Sequence, residues 1–306
     1  MGDTQMVSIS GRVFQKLSID ERIYCAPVAN DDLEEDRLTA QHELFHKLLG
    51  NSLISSNIRM MSPRSVLECG YGGGDWCVQF AETYEDCKVR QSKESTLETL
   101  SYDGLDDEEG LPHQPDNLEL FGYNLNDKLN DLEVFESRPY DLIHSRFVAH
   151  GIKKNRWASY IRDMRLLLRS GGWVQLAECH LHIQSNNGTP MDQSAVYSWW
   201  QGYARAMSDL HHDPRVGSRL HELLSAAGLR DIQVELHRLP IGSWHPDPAQ
   251  ADIGNDAVEV VGDLLESMGL WPFTAHLGWT AAQFEYLMQR VRLELRNPEL
   301  KLYLPM

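Results

Sequence analysis

The pattern with the clearest chemical meaning is an acid followed by alternating glycines, Glu68-x-Gly70-x-Gly72-x-Gly74. Glycines at this spacing let the backbone turn tightly, so that a ligand can approach main-chain N–H groups at a helix start. Residues 65–69 read as a short strand and residues 76–81 as a helix. A loop between a strand and a helix lies at the ligand edge of an open parallel sheet. The order of strand, loop and helix therefore predicts a ligand site, and a tight turn without a ligand is the alternative.

Histidines follow two further predicted strands and could act as a general base at the same edge. His144 follows the fourth core strand, His150 comes shortly after it, and His180 follows the fifth. Histidine titrates near neutral pH and can take a proton from a hydroxyl or amine nucleophile. We take His180 and His150 as the candidate catalytic residues.

Strand and helix patterns alternate along the chain around these residues. Apolar residues repeat at helical spacing in the first part of the chain and again in its middle, and short apolar runs read as strands. The predicted helices are 31–49, 157–169, 194–208, 216–227, 251–268 and 281–295, and the predicted strands include 118–123, 140–144, 173–178 and 231–236. Alternating strands and helices imply a parallel sheet with right-handed crossovers. The predicted fold class is α/β, a Rossmann-like sheet with helices on both faces.

The same patterns divide the chain into four parts. Residues 1–60 are predicted to form an N-terminal helical lid and residues 61–180 the Rossmann-like core. Residues 181–229 are predicted to form a helical cap insertion, and residues 230–306 the last core strand or strands with C-terminal cap helices. An acidic stretch at 103–110 cannot bury itself and is predicted to be a mobile surface insertion.

Composition excludes several classes of partner. The 306 residues carry 28 basic and 45 acidic side chains, a formal net charge of −17. Binding to nucleic acid or to an anionic membrane needs a basic cluster, and the sequence has none of sufficient length. No apolar run approaches the ~18 residues of a membrane-spanning helix. The five cysteines are scattered without a C-x-x-C pair, so we predict no metal. We expect a cytoplasmic protein.

The glycine loop resembles the nucleoside-binding loop of class I S-adenosylmethionine-dependent methyltransferases, in which the acid also lies two positions before the first glycine. Several other blocks resemble a narrower family, the LaeA-like methyltransferases of fungal secondary metabolism. These blocks are 22–24, 30–37, 42–45, 140–146, 166–178, 239–244, 277–279 and 296–298. They occur in the family's order over nearly the whole chain. The resemblance implies S-adenosylmethionine as cofactor, with S-adenosylhomocysteine as product.

The resemblance also implies a donor site and an acceptor pocket. The predicted cofactor-binding residues are Tyr24, Glu68, Gly70, Tyr71, Gly72, Gly74, Trp76, Asn124, Leu125, His144, Ser145 and Arg146. The helix at 194–208 is rich in large apolar residues, so Trp199, Trp200 and Tyr203 are predicted to bind substrate. Simple packing of the cap on the core is the alternative for these aromatic side chains.

Two positions depart from the family pattern. Lys93 stands about where the family has an acid for the ribose hydroxyls, and Asn124 replaces an acid near the adenine. Three functions therefore stay open. The leading one is methyl transfer to an O, N or S atom of a small natural-product-type substrate by in-line displacement. The others are a LaeA-like regulator with a protein partner, for which a nuclear location is the alternative, and a non-methylating cyclase or pericyclase. The oligomeric state is left open.

Overall fold

A computed structural model of the protein describes residues 5–27, 31–60, 62–70, 72–93, 115–131, 134–135, 139–189 and 191–306. The predicted acidic insertion at 103–110 and Tyr71 of the glycine loop lie outside the described residues.

The centre of the fold is a five-stranded parallel sheet. Its strands, in chain order, are β3 (Ser65–Cys69), β4 (Lys88–Lys93), β5 (Leu118–Gly122), β6 (Tyr140–Arg146) and β7 (Leu168–Ala177). They lie in the spatial order β5-β4-β3-β6-β7, and every neighbouring pair is parallel. The chain reverses its direction of winding at β3, so the open crevice expected of such sheets lies at the carboxyl ends of β3 and β6. The predicted α/β class is confirmed.

The junction between α4 (Trp157–Leu167) and β7 differs from the prediction. The helix ends two residues earlier than predicted and the strand begins at Leu168, so Gly171 and Gly172 lie within the strand. The β6–β7 register shifts between Tyr140 and Leu142. A Cβ on Gly172 would lie 2.9 Å from the Tyr140 carbonyl oxygen, so these glycines form an irregular strand start instead of a helix end.

Helices cover the sheet and form a cap beside it. They are α1 (Lys16–Asp20), α2 (Asp32–Leu48), α3 (Asp75–Thr83), α5 (Ala195–Asp209), α6 (Leu220–Ala226), α7 (Pro248–Trp271) and α8 (Ala281–Leu295). The Asp31 side chain accepts a hydrogen bond from the Glu34 N–H and so caps α2, which carries acids in its first turn. In the part of the chain that the structure describes, no helix combines the length and apolar character needed to cross a membrane.

The cap has its own apolar core, separate from the two cores on the faces of the sheet. Side chains of α2, α5, α7 and α8 share it, including Phe45, Trp199, Leu265 and Phe284. A hairpin that the sequence patterns do not predict, β1 (Met6–Ile9) with β2 (Arg12–Gln15), contributes Phe14. The N-terminal segment and the C-terminal helices therefore pack as one layer against the ligand edge of the sheet.

The prediction of a strand at 231–236 is wrong. These residues form no strand, and Asp231 has a positive φ of 55°. The two late strands, β9 (Arg238–Pro240) and β10 (Leu302–Pro305), join β8 (Gln184–Ser185) in a separate antiparallel sheet. His237 and Met306 exchange two backbone hydrogen bonds of 2.9 Å, and the ladder stops there. The sequence alternates apolar and polar residues here, yet Val234 and Leu236 are 58% and 86% exposed, because alternation does not supply a neighbouring strand.

Candidate functional site

The glycine loop joins β3 to α3 and requires glycine for its shape. Gly70 has φ 104°, and a Cβ at this position would lie 2.5 Å from Val148 Cγ1. Gly72 and Gly74 also have positive φ angles, 51° and 89°, and Gly74 caps the N-terminus of α3. Side chains at these positions would be strained or would collide with the segment after β6. The loop therefore leaves bare backbone at the carboxyl end of β3.

Glu68 lies at the end of β3 with its carboxyl buried beside the loop. The residue is 4% exposed, and its Oε2 has no hydrogen-bond partner within the described residues. Burial raises the pKa of Glu68 to about 8, and the nearby Arg146 opposes this rise. Oε1 lies 3.4 Å from His144 Nδ1, but burial holds the pKa of His144 well below its usual value, so the imidazole is neutral and the contact is not an ion pair. Glu68 thus offers a buried acceptor that a cationic ligand group would stabilise.

Arg146 ends β6 and supplies the opposite charge. Burial lowers the pKa of Arg146, whereas Glu68 and Asp75 raise it, so the guanidinium and the Glu68 carboxyl act on each other. One guanidinium nitrogen lies 3.0 Å from His42 Nδ1, and His42 Nε2 lies 3.1 Å from Gln79 Oε1. A carboxyl and a guanidinium on one cavity wall are complementary to an amino-acid group, whose ammonium and carboxylate carry the matching charges.

Helix α2 covers the glycine loop from the side opposite the sheet. The Leu38 side chain lies against the loop, with its Cβ 3.5 Å from where a Cβ on Gly73 would be. The Thr39 hydroxyl donates to Asp75 Oδ1 over 3.2 Å. His42, on the same helix, contacts Arg146 and Gln79. These contacts connect the N-terminal segment to the first turn of α3. The segment thus acts as a lid over the loop.

Beneath the lid lies a cavity of about 180 Å³ that extends from the glycine loop to the cap helices. Its far end is mainly apolar; the residues that form this wall include Phe45, Phe147, Leu181, Met207, Leu264 and Met268. The rings of Phe45 and Phe147 are 4.5 Å apart between centroids. The cavity therefore joins a charged end at Glu68 and Arg146 to an apolar end that can enclose an organic molecule.

A neutral imidazole lies on the wall of this cavity. The His150 ring is 4.9 Å from the Tyr24 ring, centroid to centroid. Burial, together with the charge of Arg37, lowers the pKa of His150 to about 3. Glu178 fixes the segment that carries His150, because its carboxyl oxygens accept the backbone N–H groups of Val148 over 2.9 Å and Ala149 over 3.3 Å. His150 is therefore held in place in the form that accepts a hydrogen bond.

The cavity brings together many residues singled out from the sequence. Tyr24, Glu68, Gly70, Gly72, Gly74, Trp76, Arg146, His150 and Tyr203 all line it. The structure places His180 elsewhere: its ring meets Trp200 edge to face, with 5.0 Å between centroids. Trp199 and Trp200 are 0% and 2% exposed and belong to the cap core.

Four predicted donor-site residues lie behind the cavity wall or in the loop after β5. The His144 ring stacks on Trp76 with 3.8 Å between centroids, and the Ser145 hydroxyl is 3.0 Å from the Tyr160 hydroxyl. Leu125 is fully buried and its carbonyl accepts from Arg156, while Asn124 Oδ1 accepts from the Asn126 N–H over 3.0 Å. His144 and Ser145 therefore support the site from the sheet. Lys93 is the last residue of β4, opposite Gly122 of β5.

Sequence reasoning missed polar residues that the structure places on the cavity wall. Arg37 and Gln41 lie one turn apart on α2 and are joined by a hydrogen bond of 2.7 Å. Glu178 and Cys179 follow β7 and also line the cavity. The signal for Glu178 was present, since an acid directly after a core strand lies at the ligand edge. The helical pattern of α2 gave no comparable signal, because it does not show which face covers a cavity.

Comparison with known proteins identifies the family. The profile described as a methyltransferase domain matches residues 39–234, which include the glycine loop and most of the central sheet. The chain belongs to this methyltransferase domain family. The predicted class, an S-adenosylmethionine-dependent methyltransferase, is thereby confirmed, as is the predicted cofactor.

Relatives of this methyltransferase carry two kinds of name. The chain is 27% identical to methyltransferase pytC of Aspergillus terreus over 280 residues, which are 89% of this chain and 78% of that protein. It is 26% identical to secondary metabolism regulator laeA of Monascus pilosus, over 96% of this chain and 74% of that protein. It is 23% identical to protein-methionine methyltransferase laeA of Emericella nidulans, over 89% of this chain and 68% of that protein. The LaeA-like resemblance is confirmed.

Among solved structures, the chain is similar to human N-acetylserotonin methyltransferase in complex with S-adenosylmethionine. The identity is 16% and the TM-score 0.39, with 66% of this chain and 52% of that chain covered.

We predict that Gly70→Ala weakens S-adenosylmethionine binding by about tenfold or more without unfolding the protein. The added methyl group would displace Val148 and the loop, and overpacking of this kind costs about 1–3 kcal/mol. Calorimetric titration measures the effect. Gly11→Ala is the matched control, because Gly11 also has a positive φ, 81°, but nothing lies within 4 Å of an added Cβ. Equal donor affinity in the two variants would contradict the assigned role of the loop.

We predict that Glu68→Gln weakens donor binding while stabilising the ligand-free protein at high pH. The pKa of Glu68 is about 8 in the folded protein and near 4.5 in the unfolded chain, so the folded state binds more protons between these values. The contribution of Glu68 to the free energy of unfolding is therefore lost as pH rises from about 5 to 9. Glutamine does not ionise, so the variant does not lose stability in this way. Thermal unfolding at pH 5, 7 and 9 should show an increasing advantage of the variant, and calorimetry a donor affinity lower by about a hundredfold.

Glu285→Gln, on the exposed face of α8, is the control for this experiment and should change neither quantity. A Glu68→Gln variant that binds the donor as tightly as the wild type would show that the Glu68 carboxyl does not contact the ligand.

Proposed function

We propose that the protein transfers a methyl group from S-adenosylmethionine to an O, N or S atom of a small, largely apolar molecule. The observation that carries this proposal is a single cavity with a charged end at Glu68 and Arg146 and an apolar end beside His150. A donor with an amino-acid group and an organic acceptor can occupy the two ends together. Such an arrangement brings reacting groups into contact and excludes water.

At the charged end, the chain would hold the donor by complementary charge. Glu68, whose Oε2 has no hydrogen-bond partner among the described residues, would receive the ammonium group, and Arg146 would receive the carboxylate. The backbone at Gly70, Gly72 and Gly74, which carries no side chains, would let the rest of the donor lie close to the start of α3. When bound, S-adenosylmethionine supplies an electrophilic methyl group for in-line displacement and leaves as S-adenosylhomocysteine.

At the apolar end, the chain orients the acceptor. His150 accepts a hydrogen bond from the acceptor hydroxyl, amine or thiol, which turns a lone pair of that atom toward the methyl group. Since the pKa of His150 is about 3, the imidazole holds a proton only weakly, so its role is to orient the nucleophile and pass its proton to water. Glu178 keeps His150 in place through Val148 and Ala149.

A regulatory role is the second candidate, and the names of relatives favour it. Regulators of secondary metabolism from Monascus pilosus and Cochliobolus heterostrophus align over 96% and 89% of this chain. A LaeA-like regulator acts through a protein partner, and a non-methylating cyclase would use the same cavity without turning over the donor. Formation of a methylated small molecule by the purified protein separates methyl transfer from both alternatives.

We predict that His150→Ala lowers kcat for methyl transfer by at least about tenfold, because the nucleophile loses its orienting acceptor. Donor affinity should stay unchanged. The assay measures transfer from methyl-labelled S-adenosylmethionine to a panel of phenols, amines and thiols. Because the pKa of His150 is about 3, protonation of this residue should not limit kcat between pH 6 and 8 in the wild type.

Two variants control this prediction. His221→Ala removes an exposed histidine and should leave kcat unchanged. His180→Ala tests the other histidine proposed from the sequence. A larger loss of kcat in His180→Ala than in His150→Ala, with both proteins folded, would contradict the assignment.

A further inference from the structure

Arg37 is a buried cation on the cavity wall, and one of its three guanidinium nitrogens has no hydrogen-bond partner among the described residues. The residue is 5% exposed, and its two terminal guanidinium nitrogens donate to Gln41 Oε1 over 2.7 Å and Glu34 Oε1 over 2.6 Å. Its Nε is buried and has no hydrogen-bond partner within the described part of the chain. A buried donor without a partner costs free energy, so an acceptor atom supplied by a ligand would be favoured there.

The charges around Arg37 are already balanced. The fully buried Glu34 also accepts from Arg12 over 3.2 Å and from the Ser267 hydroxyl over 2.7 Å. Arg12 in turn pairs with Asp31 over 2.8 Å. Two guanidinium groups therefore face two carboxylates, and the cluster has no surplus charge. A ligand carboxylate buried here would lose its hydration and find no free counter-charge, whereas a neutral ligand oxygen could accept the Nε–H at little cost.

Arg37 belongs to the acceptor end of the cavity. It pairs with Glu34, which accepts a hydrogen bond from Ser267 of α7. The same helix contributes Leu264 and Met268 to the apolar wall. The charge of Arg37 also acts on His150. The two guanidinium groups on the cavity wall are thus divided between its two ends. Arg146 is available for the donor carboxylate, and Arg37 lies where the acceptor binds.

We propose that Arg37 is a specificity-determining residue whose Nε–H binds a carbonyl oxygen of an uncharged acceptor, while His150 binds the group that is methylated. This inference rests on the proposed function and names the class of acceptor: a neutral, largely apolar molecule that carries a ketone, ester or amide carbonyl in addition to its nucleophile. The apolar wall encloses the remainder of such a molecule, and the hydrogen bond from the Nε–H fixes its orientation.

The test compares three probes of similar size on the protein saturated with S-adenosylhomocysteine. 4-Hydroxyacetophenone carries a neutral carbonyl, 4-ethylphenol lacks the carbonyl oxygen, and 4-hydroxybenzoate carries a carboxylate. Ligand-observed NMR titration gives the three dissociation constants. We expect the ketone to bind about fivefold more tightly than either of the others, the effect of one neutral hydrogen bond.

Matched variants assign the preference to Arg37. Arg37→Lys keeps a positive charge beside Glu34 but removes the Nε–H, so the ketone should lose its advantage over 4-ethylphenol. Arg12→Lys makes the same substitution at the other guanidinium that contacts Glu34, and it should keep the advantage. Loss of the advantage in both variants, or in neither, would overturn the proposal.

Failure of the proposed function can be distinguished from failure of the acceptor subsite. Absence of S-adenosylhomocysteine binding by the wild type would overturn the proposed function itself. Normal binding of S-adenosylhomocysteine with equal affinities for ketone and alkyl probes would overturn only the acceptor subsite. Tightest binding of 4-hydroxybenzoate would show that the subsite takes an anion. These comparisons use the wild type, so equal affinities or tightest binding of the carboxylate would overturn the proposal even where Arg37→Lys does not fold.

Discussion

A buried carboxyl oxygen that has no hydrogen-bond partner among the described residues is the constraint on which the site depends. Glu68 lies at the end of the central strand, and burial raises its pKa to about 8, so near neutral pH the ligand-free group is mostly protonated. An ammonium group arriving beside it would favour the ionised form and displace that proton. In the proposed function, the free energy cost of burying Glu68 would be recovered when the donor binds, so the charged end would favour a ligand with an amino group.

The rest of the fold maintains this burial. The glycine loop lets the backbone pass close to Val148, α2 covers the loop through Leu38 and Thr39, and His42 connects the lid to Arg146. The Arg12, Asp31, Glu34 and Arg37 cluster in turn fixes the start of α2 to the N-terminal hairpin and, through Ser267, to α7. Lid, hairpin and cap are therefore one packed unit, and the acceptor end of the cavity is formed between this unit and the sheet.

Local patterns in the sequence predicted the sheet, and they predicted that Glu68 and the glycine loop lie at its ligand edge, where the structure has a cavity. Glu68 and the glycines are neighbours in the chain, and their conformation depends on a strand and a helix that directly flank them. The acceptor end depends on contacts between distant segments, such as Tyr24 with His150, which no local pattern records. For the same reason the sequence left open whether Trp199 and Trp200 bind substrate or pack in the cap, and the structure places both in the cap core. The strand predicted at 231–236 shows the same limit, since its alternation could not show that β10 pairs only from His237 onward.

Comparison of S-adenosylhomocysteine with 5′-methylthioadenosine tests the central claim most directly. The two molecules share the nucleoside and the sulfur, but only the first has the amino-acid end that Glu68 and Arg146 are assigned to bind. Calorimetric titration of the wild-type protein should show S-adenosylhomocysteine binding at least about a hundredfold more tightly, as two charge-assisted contacts imply. Equal affinities would show that the amino-acid end makes no net contribution, and would contradict the assignment of the charged end of the cavity.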